Sequence, residues 1–389
     1  MRLKIETAER LKKLPPYLFA ELDRLKQEAA AKGKDLIDLG VGDPDTPTPE
    51  YIIERLYEAA QNPVTHKYAN NAGLPELRQA MTDWYKKRFG VKLNPETEIL
   101  PLIGSKEGIS HIPLAFINHG DICLVPDPCY PPYKSGTILA GGIPYLMPLL
   151  QENNFLPVLD NIDYQVAKQA KLMFLNYPNN PTTAVAGKAF FEEVIKFAEV
   201  NNVIVCHDAA YSEITFDDYK PMSFLEVEGA KEVGIEFHSL SKTYNMTGWR
   251  IGFAVGNSEV IKHLAKVKSN IDSGIFRAVQ FAGIVALSNE THLEKLLDVY
   301  EQRRDALVDG LNSIGWKVEK PKATFYVWAP VPPGYTSMEL SKTLLDKCGI
   351  VATPGVGFGQ NGEGYIRFAL TVTVERIKEA VERIKKLHG

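Results

Sequence analysis

Short apolar runs and amphipathic stretches alternate along the middle of the chain. Three runs rich in β-branched and apolar residues, at 121–125, 171–175 and 203–207, predict buried strands. Between the last two, residues 189–200 repeat apolar side chains at helical spacing. Strands that alternate with helices are typical of a mostly parallel central sheet flanked by helices, so the pattern predicts an α/β fold.

The pattern changes towards the C-terminal end. A long helical repeat covers residues 291–311, and the segments 316–331 and 364–370 predict strands of a smaller α+β domain. The expected division is an N-terminal segment packing with the small domain (1–45), a large domain (46–285) and a C-terminal small domain (286–389).

Composition and charge exclude several classes of protein. Lys and Arg number 44 against 48 Asp and Glu, so the net charge is −4. A nucleic-acid-binding protein normally has an excess of basic residues, and this chain has none. No apolar run reaches ~18 residues and the N-terminus lacks the apolar core of a signal peptide, so we expect neither a membrane span nor secretion. The four cysteines form no C-x-x-C pair or zinc-type cluster, which favours a reduced, cytoplasmic protein without a metal site.

Polar residues follow several predicted strands, where ligands bind in open α/β sheets. Gly104, Ser105 and Lys106 form a strand-to-helix turn whose backbone N–H groups and helix dipole favour an anion. An ordinary turn explains the same three residues equally well. The segment 176–182 holds three asparagines and two prolines, which predicts a stiff turn whose amides can face a ligand.

Two ionisable groups stand out at later strand ends. Asp208 follows an apolar run, where a carboxylate is costly without a partner; the alternative is a helix N-cap. We interpret the neighbouring His207 as a packing residue. Lys242 lies among Ser, Thr and Tyr between apolar runs, and Arg250 follows eight residues later. Burial would lower the pKa of this lysine and make it a nucleophilic amine.

An amine, an isolated carboxylate, a tyrosine and anion-binding hydroxyls together suit pyridoxal phosphate. This cofactor needs a lysine for its aldehyde, an acid for its ring nitrogen and a cup for its phosphate. The segment 127–133 supplies candidate aromatic side chains for the ring. The sequence therefore indicates a pyridoxal-phosphate enzyme.

The chain resembles the class I/II aminotransferases of the fold-type I pyridoxal-phosphate superfamily over nearly its whole length. The resemblance rests on the Ser-x-Ser-Lys block at 239–242 with Gly-Trp-Arg at 248–250, the Asn-Asn-Pro-Thr turn at 179–182, and the pair Asp208 and Tyr211. These motifs fall in the family's order. The resemblance implies a fold-type I transferase with a mostly parallel central sheet and a smaller α+β domain.

The resemblance also implies a role for each matching residue. Lys242 would bond to the cofactor aldehyde and Asp208 would pair with the protonated ring nitrogen, with Tyr211 as the third catalytic group. Tyr211 and Asn180 would hydrogen-bond the phenolic oxygen of the ring, and Tyr130 would stack on it. The implied phosphate contacts are Ser105, the backbone of Lys106, Ser239 and Arg250.

Further implied contacts concern the substrate and a second subunit. Tyr68 would reach the cofactor phosphate of the neighbouring subunit in a homodimer with shared active sites. Arg367 would clamp the substrate α-carboxylate, and the loop at 41–44 with Gly42 would close over the same carboxylate. The implied reaction is a two-half, ping-pong transamination in which Lys242 moves the proton.

Two other patterns carry competing signals. Residues 357–362 match G-x-G-x-x-G, but a predicted strand follows them where the dinucleotide motif requires a helix, so we expect a mobile loop that presents Arg367. The charged residues Glu301, Arg303, Arg304 and Asp305 predict a solvated helix face.

Two other functions share these motifs. A pyridoxal-phosphate-dependent carbon–sulfur lyase would have the same catalytic core. A non-catalytic regulator is disfavoured, because only 35 residues precede the predicted strand at 36–39 and the charge is near neutral.

The substrate depends on a narrower resemblance. Residues 14–22, which include Tyr17, and residues 37–45 resemble the LL-diaminopimelate aminotransferases of lysine biosynthesis, which use 2-oxoglutarate as acceptor. The implied substrate contacts are Arg367, Gly42, Asn180, Tyr17 and Lys106. In the plant-type enzymes a glutamate stands three residues after the phosphate-binding tyrosine, where this chain has Asn71. An aspartate-type, alanine-type or broad-range aminotransferase therefore stays open.

Overall fold

The computed structural model describes residues 3–15 and 18–387, and of residues 18–23 and 25 it describes the backbone only. The strands are β1 (Ile37–Asp38), β2 (Ile99–Leu102), β3 (Ile122–Asp127), β4 (Ile143–Pro148), β5 (Ala170–Asn176), β6 (Ile204–Asp208), β7 (Gly234–Ser239), β8 (Gly252–Gly256), β9 (Tyr326–Pro330), β10 (Ile350–Val351), β11 (Thr353–Pro354) and β12 (Tyr365–Ala369).

The helices surround these strands in chain order. They are α1 (Glu9–Lys12), α2 (Leu18–Ala31), α3 (Glu50–Ala60), α4 (Pro75–Phe89), α5 (Ser105–Phe116), α6 (Pro132–Leu139), α7 (Tyr164–Gln169), α8 (Lys188–Asn201), α9 (Ala230–Val233), α10 (Leu240–Thr243), α11 (Ser258–Ile271), α12 (Arg277–Ser288), α13 (Leu293–Ser313), α14 (Ser337–Thr343) and α15 (Val374–Lys385). None of the helices in the described part of the chain is long and apolar enough to cross a membrane.

The large sheet is mostly parallel, and the predicted α/β class is confirmed. Its strand order is β2-β8-β7-β6-β5-β3-β4. Only the pairings of β8 with β2 and with β7 are antiparallel, so β8 alone runs against its neighbours in this sheet. The predicted strands at 121–125, 171–175 and 203–207 correspond to β3, β5 and β6, and the predicted helix at 189–200 corresponds to α8.

Helices cover both faces of the large sheet, which explains its continuous apolar runs. Along β5, Leu172 and Phe174 pack in one apolar cluster with α5 and α11. Met173 and Leu175 pack in another cluster with α4, α8 and α12. Successive side chains of a strand point to opposite faces, so a strand buried on both sides carries apolar residues throughout.

A second, smaller set of strands packs around its own core. β11, β12 and β9 form an antiparallel sheet, and β1 pairs in parallel with β10. The apolar residues of this part form a cluster separate from the two clusters of the large sheet. The strand expected over 316–331 is much shorter, because only Tyr326–Pro330 pairs with β12.

The expected solvated face on α13 is wrong for its two arginines. Arg303 is 4% exposed and its guanidinium donates two hydrogen bonds to Asp45, at 2.6 and 2.8 Å. Arg304 is 1% exposed and forms ion pairs with acidic side chains, among them Asp217. Charge alone suggested solvent, but the paired carboxylates allow both guanidinium groups to be buried.

Candidate active site

The predicted polar residues meet at one edge of the large sheet. Strands β2, β3, β5, β6 and β7 all end at this edge, because they point in the same direction. β8 runs the other way and therefore begins there, which brings Arg250, two residues before β8, to the same edge. The residues at these strand ends or shortly after them are Ser105, Tyr130, Asn180, Asp208, Tyr211, Ser239 and Lys242.

Lys242 lies in α10, which starts directly after β7. The Ser239 hydroxyl caps this short helix by accepting from the Ser241 N–H at 3.2 Å. The Lys242 Nζ donates to the Gly42 carbonyl oxygen at 2.8 Å. Burial lowers the pKa of the amine to about 8. The negative charge of Asp43 opposes this shift, and the positive charges of nearby arginines add to it.

Asp208 is buried at the end of β6 and accepts hydrogen bonds from two donors. Its Oδ2 accepts from the Tyr133 hydroxyl at 2.8 Å, and its Oδ1 accepts from the Ala210 N–H at 3.3 Å. A turn and not a helix follows Asp208, so the N-cap alternative is wrong. Burial raises the pKa of this carboxyl, and the Tyr133 hydroxyl opposes that rise. A cationic partner would stabilise the ionised carboxylate further.

Arg367, on β12, joins the smaller sheet to the site. It is 3% exposed, and its guanidinium donates to Asn180 Oδ1 at 2.7 Å and to the Gly40 carbonyl oxygen at 2.8 Å. Its Cζ lies 4.1 Å from the ring centroid of Tyr326 and 4.7 Å from that of Phe358. The Nε atom is buried and has no partner within the described residues. A guanidinium has five N–H donors, so capacity remains for an anionic ligand.

Tyr211 and Gly42 both contact Tyr326 on β9. The two tyrosine hydroxyls lie 2.9 Å apart, and burial raises the pKa of Tyr211 well above its ordinary value. A Cβ atom at Gly42 would collide with the Tyr326 hydroxyl, so the loop at 41–44 reaches Lys242 only because this position is glycine.

A cradle suited to an anion surrounds the start of α5. Gly104 has φ +74°, and a Cβ there would collide with the guanidinium of Arg250. A Cβ at Gly252 would lie 2.8 Å from the Ser105 backbone nitrogen. The missing side chains therefore leave the helix N-terminus and a cation side by side, which is the donor set that a phosphate group prefers. Together with Lys242 and Asp208, these residues fit pyridoxal phosphate.

Three other predicted site residues are exposed or only half-buried. Tyr68 is 85% exposed, and its carbonyl oxygen accepts from Arg277 at 2.7 Å. Lys106 is exposed at the first turn of α5. The Tyr130 ring is half-buried and meets Tyr133 edge-on at 5.7 Å between centroids. Tyr17 lies outside the described residues.

Sequence reasoning missed several residues of the site. Tyr133 lay in the segment of candidate aromatic residues but was assigned no role, whereas no sequence pattern pointed to Tyr326 or Phe358.

His207 is buried, and its Nδ1 lies 2.8 Å from Glu236 on β7. It lies on the face of the sheet opposite to Asp208, the next residue of β6. Among the described residues, no group of His, Cys, Asp and Glu could hold a metal ion.

Comparisons with known proteins extend over both sheets. A family model described as aminotransferase class I and II matches residues 34–384. An LL-diaminopimelate aminotransferase from Syntrophobacter fumaroxidans is 60% identical, over 98% of this chain and 98% of its own length. The solved structure of BacF from Bacillus subtilis aligns with a TM-score of 0.95 at 43% identity, covering 99% of this chain and 98% of that one. A probable N-succinyldiaminopimelate aminotransferase from Thermus thermophilus aligns with a TM-score of 0.90 at 36% identity, covering 95% of this chain and 99% of that one.

Proposed function

The chain belongs to the class I and II aminotransferases, and from this premise we propose that it transfers the amino group of LL-diaminopimelate to 2-oxoglutarate. The chain is a pyridoxal-phosphate-dependent enzyme, as its family membership implies. The observation that carries the proposed substrate is the near full-length similarity to relatives bearing that name, at 53–60% identity. The fold does not identify the substrate, because solved structures named for other substrates also align, with TM-scores of 0.90 and 0.92.

The cofactor-binding groups follow from the geometry of the sheet edge. Pyridoxal phosphate, when bound, supplies an aldehyde that takes up the amino group and a ring that withdraws electrons from the substrate Cα. Ser105, the Lys106 backbone, Ser239 and Arg250 would hold its phosphate beside the N-terminus of α5. The remaining proposed contacts are Tyr130 on the ring face, and Tyr211 and Asn180 at the phenolic oxygen.

Lys242 is the proposed acid and base of the reaction. With a pKa of about 8, its amine exists in both protonation states near neutral pH, so Nζ can accept a proton from the substrate Cα and return it. The Gly42 carbonyl oxygen orients this amine. Asp208 would hold a proton on the ring nitrogen, since a buried carboxylate is stabilised by a cation next to it.

Arg367 is the proposed ligand of the substrate α-carboxylate. Its planar fork matches a carboxylate at two points, and the bonds to Asn180 and Gly40 fix its orientation. The loop at 41–44 lies against both Tyr326 and Lys242, which supports its proposed closure over the same carboxylate and its exclusion of water.

Two features of the assembly are part of this proposal. The chain would act as a homodimer, with Tyr68 on the phosphate of the partner's cofactor, because an exposed tyrosine beside exposed Val64 lacks a role in one subunit. Residues 1–45 and 286–389 would move together relative to residues 46–285. The pairing of β1 with β10 and the bonds of Arg303 to Asp45 support this division.

The remaining proposed contacts concern the distal end of the substrate and the entry to the site. Lys106 is the candidate for the distal carboxylate, and Tyr17 for the entry to the site. Asn70 and Asn71 from the partner subunit are the candidates for the distal amine. The location proposed for this enzyme is the cytoplasm, where its four buried cysteines would stay reduced.

An amino-donor panel tests the substrate. With 2-oxoglutarate as acceptor, kcat/KM is measured for LL-diaminopimelate, aspartate, alanine and glutamate. A site built for a second polar head leaves its own polar groups unpaired with shorter donors, so we expect LL-diaminopimelate to exceed each of them by at least ~10-fold. A ratio of one or less would replace the proposal by an aspartate-type, alanine-type or broad-range aminotransferase. Turnover with pyruvate or oxaloacetate as acceptor, but not with 2-oxoglutarate, would contradict the proposed acceptor.

A further inference from the structure

The glycine-rich segment 355–362 is a compact loop and not a dinucleotide-binding turn. It consists of two short 3-10 turns, Gly355–Phe358 and Gln360–Gly362, and β12 follows as the sequence predicted. Carbonyl groups lie where Cβ atoms at Gly355 and Gly362 would stand, so the loop folds closely onto itself. Its glycines therefore serve close packing.

This loop is fastened to the end of β3 in the large sheet. Asp127, the last residue of β3, is 2% exposed, and its Oδ2 accepts from Asn361 through the backbone N–H at 3.2 Å and through Nδ2 at 2.6 Å. Gly359 has φ +146°, and a Cβ there would occupy the position of Asp127 Oδ1. The Cys129 N–H donates to the Phe358 carbonyl oxygen at 2.9 Å. Three hydrogen bonds and the close approach of Gly359 thus join the loop to one strand end.

The same loop carries an aromatic ring against the guanidinium of Arg367. The ring centroid of Phe358 lies 4.7 Å from Arg367 Cζ, and Phe358 is 5% exposed. A cation over an aromatic face is attracted to it, and the ring also limits where the guanidinium can move. The Phe358 carbonyl oxygen is bonded to Cys129, and the next residue, Gly359, packs against Asp127. The position of the Phe358 ring therefore depends on the contacts that hold the loop to the end of β3.

We propose that Asp127 is a positioning residue for substrate binding: it holds the loop 355–362 so that Phe358 keeps Arg367 in place. The proposal rests on the proposed role of Arg367 as the α-carboxylate ligand. Asp127 touches neither substrate nor cofactor in this proposal and acts through the loop. Its carboxylate also joins the proposed large domain to the C-terminal part of the chain, so the loop is held only when the two are together.

The test separates substrate binding from the chemical step. Holoenzyme is mixed with an amino donor in the absence of oxo acid, and the absorbance change of the cofactor gives a half-saturating concentration and a limiting rate. Aspartate and the best donor of the panel are both used, since each carries an α-carboxylate. Asp127→Ala removes the oxygen that accepts both Asn361 bonds, so we expect it to raise the half-saturating concentration at least ~10-fold while the limiting rate changes less than ~3-fold.

A double-mutant cycle tests the route of the effect. If Asp127 acts through Phe358, then Asp127→Ala in a Phe358→Leu background should add less than ~2-fold to the half-saturating concentration. Full additivity of the two substitutions would overturn the proposal, and so would an effect of Asp127→Ala on the limiting rate alone. If Asp127→Ala does not fold, Asn361→Ala is the milder variant. It removes only the side-chain donor at 2.6 Å and is expected to raise the half-saturating concentration ~3-fold.

Two reference variants complete the experiment. Asp163→Ala makes the same substitution at an exposed helix cap on α7 and should leave both kinetic constants unchanged. Arg367→Lys distinguishes the two proposals. If Arg367→Lys leaves donor binding unchanged, the carboxylate ligand itself is wrong. If Arg367→Lys weakens binding and Asp127→Ala does not, only the positioning role of Asp127 is wrong.

Discussion

The Lys242 amine and the Gly42 carbonyl oxygen are joined by a 2.8 Å hydrogen bond, although 200 residues separate them in the chain. Gly42 lies in the loop that follows β1, and Lys242 lies in the helix that follows β7. The proposed catalytic amine is therefore oriented by a segment that packs with the smaller sheet.

Replacing Lys242 by methionine should remove a pH-dependent part of the stability of the cofactor-free protein. The folded-state pKa of Lys242 is about 8, below its ordinary value of 10.5, so between these values the unfolded chain binds more protons. Stability conferred by this residue therefore rises with pH from about 8 to 10.5 and is lowest below pH 8. Urea unfolding should show that Lys242→Met is more stable than wild type at about pH 7.5, by on the order of 1–3 kcal/mol, with the difference shrinking at about pH 10. A pH-independent difference would contradict this.

Replacing Gly42 by alanine should impair the site. The added Cβ collides with the Tyr326 hydroxyl, so the loop must shift and its carbonyl oxygen leaves Lys242. Overpacking of this kind costs about 1–3 kcal/mol, and we expect kcat/KM to fall at least ~10-fold. Gly187→Ala is the matched control, since nothing lies within 4 Å of a Cβ there. Equal kinetics for the two variants would show that the loop position does not matter.

Replacing Arg367 by lysine should weaken the binding of every substrate. Lysine keeps the charge but loses the planar fork and the bonds to Asn180 and Gly40. We expect kcat/KM to fall at least ~10-fold, or about 1.4 kcal/mol, for each amino acid and oxo acid tested in steady-state assays. Unchanged kinetics would leave Arg367 a structural residue.

Mixing two inactive variants should restore activity if the sites are shared between subunits. Tyr68→Ala removes the proposed contact to the partner's cofactor, and Lys242→Ala removes the amine. A mixed dimer would contain about one site with both residues intact, so refolded or exchanged mixtures should regain activity that neither variant has alone. Size-exclusion chromatography accompanies the assay, and a fully active monomer would refute the shared site.

Replacing Arg303 by methionine should destabilise the protein although the residue lies far along α13. The guanidinium is buried, forms two bonds with Asp45 and donates to the Leu370 carbonyl oxygen at 3.0 Å. Asp45 is partly exposed, so we expect a loss of about 1–3 kcal/mol in urea unfolding, below the full cost of breaking a buried pair. Arg24→Met, at an exposed i,i+4 pair on α2, should change stability by less than ~0.5 kcal/mol. Equal losses would show that the bonds of the buried Arg303 to Asp45 add nothing measurable to stability.

Local patterns in the sequence were sufficient for several central elements and for the strand-end residues. Buried runs predicted β3, β5 and β6, because a strand covered on both faces is apolar at every position. Asp208 and Asn180 could be placed on the same edge since parallel strands end together. Lys242 stood out for a similar reason, as a charged residue between apolar runs. The resemblance to the aminotransferases drew on these same residues.

The sequence by itself therefore determined the fold class, the family and the groups that follow each parallel strand, because periodicity and residue chemistry act over a few neighbouring positions. Only the tertiary structure decided the contacts between distant segments. Arg250 reaches the site because β8 runs antiparallel, and Arg303 is buried because Asp45 meets it from the other end of the chain. Tyr326 and the loop held by Asp127 join the site in the same way. Strand direction and the packing of one sheet against another set these contacts, and neither leaves a periodic signal in the sequence.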